Sequence, residues 1–233
     1  YGTKSIKQVN KIVGPGNKYV TAAKMLVYGL VDIDMPAGPS EILIIADKDA
    51  NPYFISSDIL AQSEHDPNAQ SVLVSNDKKI LSKVKSIVDV KARTSQRRDV
   101  LEESLENIHL VKTRSMTESI KYANLYAPEH LELHVRNTDK IAEKIVNAGA
   151  IFLGEYSPVA AGDYASGANH VLPTGGAARF SSQLSVRDFL KTSSTQKISR
   201  KGLSNLSKTI ISLAEVEGLV EHANSIRERT KNG

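Results

Sequence analysis

Glu41-Ile42-Leu43-Ile44-Ile45-Ala46 is a run of six residues with one polar side chain, and Asn51-Pro52 follows it after a short connection. A continuous apolar run this short, rich in Ile, suits a strand buried on both faces of a parallel sheet. Asn51 is a capping side chain and Pro52 fits the first helical position. A helix is therefore predicted from there to about His65, where Asp66-Pro67 ends it. The alternation continues outward in both directions. Strands are predicted at Ser71 to Ser75, Ile108 to Lys112, Leu131 to Val135 and Ala150 to Leu153. Helices are predicted near Val20 to Tyr28, Asp77 to Val90, Ser95 to Glu106, Ser115 to Tyr126 and Thr138 to Asn147. This pattern implies an α/β fold, a mostly parallel open sheet with flanking helices.

From Gly154 to Thr174 the pattern stops. Gly, Ser, Pro, Ala and Asn dominate there, with Asp163, Tyr164, Asn169 and His170 embedded among them, and a loop that long inside a compact unit is usually functional. Past about Ser185 the chain turns helical, and Leu206, Ile210, Leu213, Val216 and Val220 are spaced to form one apolar stripe. A helical tail of ~50 residues cannot bury such a stripe alone, so it is expected to dock on the main domain or on a second subunit.

The chain has 233 residues, 40% of them hydrophobic, enough to bury one large core or two smaller ones. Lys and Arg number 30 against 26 Asp and Glu. The densest basic stretch, Lys78 to Arg98, runs straight into Glu102, Glu103 and Glu106, the signature of solvated helix faces rather than a nucleic-acid surface. With no cysteine there is neither a disulfide nor a thiolate metal site, so any metal must sit on His, Asp, Glu or Gln. No apolar run approaches the ~20 residues that span a bilayer, and no leader is recognisable, which points to a soluble cytoplasmic protein. Tyr1-Gly2-Thr3 lacks an initiator Met and reads as the interior of a longer protein.

Several groupings carry chemistry. Gly14-Pro15-Gly16-Asn17 begins like a phosphate-cradling turn but has Tyr19 where the dinucleotide fingerprint needs its third glycine, so an ordinary turn before a helix serves equally well. Met35-Pro36-Ala37-Gly38-Pro39-Ser40-Glu41 is a rigid loop feeding a buried strand. Gln62 and His65 lie three apart on one helix face, able to hold a single ion or to stand as a surface pair. His130 and His134 would be a metal pair on a helix, but on the predicted strand they lie ~13 Å apart. Glu129-His130 sets a carboxylate beside an imidazole at a strand entrance, suited to proton abstraction and water activation, with a satisfied surface pair as the bland alternative. Asp163 offers a hard oxygen ligand for a cysteine-free zinc site. Glu217 and His222, five apart on one tail helix, would point ~140° apart.

Taken together, the Gly-Pro-Gly-Asn turn, Asp34 to Glu41, Ala61-Gln62-Ser63-Glu64-His65, Pro128-Glu129-His130-Leu131, Ala161 to Gly167 and Asn169 to Thr174 resemble, in order and spacing, the second half of histidinol dehydrogenases. The resemblance runs from Tyr1 into the tail. It implies an oxidoreductase that takes L-histidinol to L-histidine with zinc and NAD. It also implies incomplete Rossmann-like domains that bind nucleotide without the usual phosphate loop. By similarity, Gln62, His65, Asp163 and His222 match the zinc ligands, which hold the substrate in place, with His222 coming from the partner in a homodimer. Glu129 and His130 match the catalytic pair, Ser40, His170 and Glu217 match substrate contacts, and Asn17 matches the NAD site. Residues 1–39 would be the remnant of a second nucleotide-binding-like domain, 40–184 the main α/β domain with the site, and 185–233 the dimer-forming tail. The first half of the family's chain is missing, so this chain alone is expected to be inactive. Two other readings of the same residues are a zinc-dependent hydrolase and a non-catalytic metal-binding or dimerisation fragment.

Overall fold

A short entry segment precedes the main sheet: β1 (Lys11–Ile12) and β2 (Asp32–Ile33) pair in parallel and flank α1 (Lys18–Val27). The structure, a computed structural model, describes residues 1–35 and 38–231. Pro36 and Ala37 of the expected proline loop, and Asn232 and Gly233, lie outside the described residues. Lys24 of α1 is buried and joins Asp34, whose carboxylate also accepts from the Gly14 N–H at 2.8 Å, so one buried ion pair pins the Gly-Pro-Gly turn.

The apolar runs become β3 (Glu41–Ala46), β4 (Gln70–Ser75), β5 (Ile108–Lys112), β6 (His130–His134) and β7 (Ala150–Leu153). Among the described residues these five form one sheet in the order β5-β4-β3-β6-β7, every pair parallel. Successive strands thus step outward from β3 in one direction as far as β5, and the chain then crosses to β6 on the other side. Ile42 and Ile44 pack on one face with Ile55, Ile59, Val84 and Val159, while Leu43 and Ile45 pack on the other with Ile120, Ala123, Leu131 and Leu133. Burial on both faces is why these strands lack polar alternation. Each fully buried Ile or Leu contributes about 1.5–3 kcal/mol.

The first face is covered by α2 (Pro52–Ser63) and α3 (Lys78–Arg93), capped by Asn51 and Asp77, whose side chains accept from the N–H groups of the first turn. α4 (Arg98–Ser104) follows, and α5 (Met116–Tyr126), capped by Ser115, lies on the second face. The helix predicted over Thr138 to Asn147 is shorter, α6 (Thr138–Ala142). Beyond it the Asn124 side chain accepts from Val146 N at 2.8 Å and donates to Lys144 O at 2.9 Å, drawing those backbone groups away from helical bonding. The expected loop from Gly154 to Thr174 contains a helix, α7 (Val159–Tyr164). Its small residues let it lie close to the sheet, since a Cβ on Gly162 would come within 2.8 Å of the Phe152 ring.

By contact the chain divides into two compact units, residues 1–189 and 190–233. The second contains α8 (Arg200–Val216) and α9 (Val220–Thr230), which bury Ala214 and Ala223. The single tail helix expected through Glu217 and His222 is therefore two helices. Gly218, at φ +74°, ends α8, with Leu219 N donating to Ala214 O at 2.8 Å in the closing turn that favours glycine. Leu206, Leu213, Val216 and Val220 of the expected stripe are exposed.

Candidate active site

Leu131 and Leu133 of β6 belong to the second face, so strand alternation sends His130, Glu132 and His134 to the first, beneath α2 and α7. All three are buried, as is Glu129 at the strand entrance. The surface-pair alternative for Glu129 and His130 is thereby overturned: each is only 6% exposed. The approach to β6 is itself constrained, because buried Ala127 ends α5 at φ 56°, a left-handed conformation that non-glycine residues rarely adopt and that costs on the order of 1 kcal/mol.

β3 and β6 exchange side chains for backbone at this point. The Glu129 Oε2 accepts from Glu41 N at 2.9 Å, and the Glu41 Oε1 accepts from Glu129 N at 3.3 Å and from Gly175 N at 3.0 Å. His130 Nδ1 lies 3.1 Å from the Glu41 carbonyl oxygen. A carbonyl only accepts, so Nδ1 carries the proton and Nε2 keeps its lone pair, the tautomer a general base needs. Burial pushes the Glu129 carboxyl up to about 8. Its bond from Glu41 N opposes this, and the charges of Glu41 and Asp163 add to it. Burial lowers the His130 pKa, partly offset by the Glu41 carbonyl and the Asp163 and Glu132 charges.

Gln62, His65 and Asp163 line one cleft of about 90 Å³ between α2 and α7. Asp163 acts electrostatically on both Glu129 and His130, and His65 acts on His130. Ser40 and His170 line a second cleft together with Glu129, Gly14, Gly16 and Lys24. Asn17 is spent on the α1 cap, its Oδ1 accepting from Tyr19 N at 3.0 Å and Val20 N at 3.2 Å, and it is exposed. Glu217 closes α8, and His222 sits in the first turn of α9, both exposed and both in the second unit. The donors of the first cleft, an amide, an imidazole and a carboxylate, are the N/O set that zinc accepts in the absence of thiolates.

A second group lies beside this one. Asp58, Glu132 and His134 bring their ligand-capable atoms within 4.8 Å of one another. His134 Nε2 stands 3.1 Å from Glu132 and 3.9 Å from Asp58, while its buried Nδ1 has no partner. A metal on Nε2 would put the ring proton on that orphan Nδ1 and bury an unsatisfied N–H, whereas metal-bound histidines ordinarily donate their second N–H to an acceptor. With the proton on Nε2, donated to Glu132, only a bare acceptor is left unpaired. Glu132 and His134 are accordingly a hydrogen-bonded pair with Asp58 beside them, and burial first and the Glu132 charge next push the Asp58 carboxyl up to about 7.

A family model for histidinol dehydrogenase matches residues 1–230. The chain belongs to the histidinol dehydrogenase family. The histidinol dehydrogenase of Methanothermobacter thermautotrophicus is 52% identical over 233 residues, covering 100% of this chain and 55% of that protein. That of Methanosarcina barkeri is 52% identical over 229 residues, 98% of this chain and 53% of that protein. The crystal structure of histidinol dehydrogenase from Elizabethkingia anophelis superposes with a TM-score of 0.90 at 43% identity, over 99% of this chain and 53% of that one. The chain thus spans about half the length of the histidinol dehydrogenases it matches.

Sequence reasoning missed Glu41, Lys24, Asp58 and Glu132. For Glu132 and His134 a signal was present, since polar residues at alternate positions of a strand buried on both faces need a partner on one of them.

Proposed function

We propose that the protein containing this chain is a zinc- and NAD-dependent oxidoreductase of histidine biosynthesis that takes L-histidinol through the aldehyde to L-histidine, a four-electron oxidation. The reading rests on family membership and on one geometric observation: Gln62, His65 and Asp163 line a single cleft, from which Asp163 acts electrostatically on buried Glu129 and His130. When bound, zinc orients the substrate's nitrogen groups and NAD accepts hydride.

The chain's own residues do the rest. His130 Nε2, left unprotonated by the Nδ1 bond to Glu41, takes the alcohol proton as the first oxidation proceeds. Glu129, a buried carboxylate at the strand entrance that a neighbouring zinc would keep ionised, takes a proton from the water that adds to the aldehyde before the second oxidation. Ser40 and His170, on the cleft shared with Glu129, contact the substrate. Asn17 marks the nucleotide side, near the glycine turn that borders the same cleft.

The assembly is a homodimer in which His222 and Glu217 reach the partner's site and His222 completes the zinc ligands. The exposed Leu206, Leu213, Val216 and Val220 of the helical tail supply an apolar surface for that contact. Residues 1–39 are the remnant of a second α/β domain, 40–184 the main domain and 185–233 the dimer-forming tail, so the chain alone lacks turnover. Among the described residues no helix is long and apolar enough to cross a membrane, in keeping with a cytoplasmic enzyme. NADH formation from L-histidinol and NAD, before and after zinc is stripped and restored, tests the reading. Zinc-dependent NADH is expected, and no NADH with metal fully loaded would replace it with the zinc hydrolase.

A further inference from the structure

Glu132 is 1% exposed and lies two residues beyond His130 on the same face of β6. Its Oε1 accepts from Val159 N at 2.9 Å, at the first residue of α7. Its other oxygen lies 3.1 Å from His134 Nε2, and a carboxylate oxygen of Asp58 on α2 comes within 4.8 Å of both. Asp58 precedes Gln62 by four residues, one turn of α2, and His65 follows just past the end of that helix at Ser63. Val159 precedes Asp163 by four, one turn of α7. A single buried carboxylate is therefore bonded to α7 at Val159 and packed against Asp58 of α2, in each case one turn before a residue, Asp163 or Gln62, that lines the common cleft.

We propose that Glu132 is a positioning residue. By tying α2 to the start of α7 it sets the gap across which Gln62 and His65 face Asp163, and so the fit of that trio to a divalent cation. This rests on the reading of Gln62, His65 and Asp163 as metal ligands. Outer residues that orient a metal's ligands typically account for about 10–100-fold in affinity, and Glu132 would act on three ligands through two helices.

The test is a zinc titration against a chromogenic chelator, with thermal unfolding in parallel, on the full-length protein and three variants. Glu132→Leu, which removes both ties, is expected to raise the zinc Kd about 10–100-fold and to alter the visible spectrum of the cobalt-loaded protein. Glu132→Gln keeps the side-chain length and an acceptor for Val159 N but sets its NH2 against His134, so its Kd is expected to fall between those of wild type and Glu132→Leu. Leu133→Ala, on the opposite face of the same strand, is expected to lower the melting temperature with zinc affinity unchanged. The inference is overturned if Glu132→Leu binds zinc as wild type does, or if Leu133→Ala weakens zinc to the same extent. If wild type itself binds no zinc, the ligand reading fails and this inference with it.

Discussion

Replacing Glu129 by Gln should make the protein more stable in neutral and alkaline solution while damaging the site. The carboxyl is 6% exposed and burial raises it from 4.5 to about 8, so between those pH values the folded state holds a proton that the unfolded state has lost. Stability contributed by the protonated form is complete below pH 4.5 and drains away as pH rises toward 8. At ~1.36 kcal/mol per pH unit that window amounts to about 4–5 kcal/mol. Glutamine resembles the protonated carboxyl, keeps an acceptor for Glu41 N and has nothing to ionise. Urea unfolding of the two metal-free proteins, at intervals from pH 5 to 9 and with slopes compared, measures the difference directly. The metal-free form is needed because a divalent cation nearby would favour the ionised carboxylate. The variant should lie within about 1 kcal/mol of wild type at pH 5 and exceed it by several kcal/mol at pH 9. A difference that stays constant across that range, or a wild type that gains on the variant as pH rises, would refute the reasoning.

Three further outcomes are expected. His65→Ala and Asp163→Ala should each lose zinc on gel filtration, read by metal analysis of the eluted protein, and full occupancy in either would remove that residue from the ligand set. Glu129→Gln should slow the second oxidation more than the first in rapid-mixing kinetics, because only the aldehyde step needs an activated water; equal slowing would count against its assigned role. Gly149→Ala should cost about 1–3 kcal/mol in urea unfolding, because its Cβ would sit 2.6 Å from the Glu129 carbonyl oxygen, and unchanged stability would show that the strand entrance yields easily.

Much of the main sheet could be read from the chain, since Glu41 to Ala46, Ile108 to Lys112 and Ala150 to Leu153 are apolar runs whose lengths match their strands. The two-residue strands at Lys11 and Asp32 are too short to show any period. Val159 to Tyr164 was hidden because Ala, Gly and a preceding Pro make a six-residue helix look like loop. Gly218 was the available sign of the break in the tail, and the regular apolar spacing on either side masked it. Of the site, the residue types at Gln62, His65, Glu129, His130 and Asp163 suggested chemistry, but the exchange between Glu41 and Glu129 joins positions 88 apart and leaves no local trace. Which histidine nitrogen is protonated depends on that same distant strand.

His130 takes its orientation from a main-chain carbonyl rather than from a side chain. Mutation can delete a carboxylate that steers an imidazole, but every amino acid supplies the same carbonyl. The protonation pattern of the base is therefore insulated from substitution at position 41 and belongs to the pairing of β3 with β6. Substitution at position 41 leaves that choice of nitrogen untouched, whereas one inserted or deleted residue in either strand would present His130 with the wrong partner. The choice of protonated nitrogen is thus vulnerable to changes in chain length and tolerant of a change of side chain at position 41.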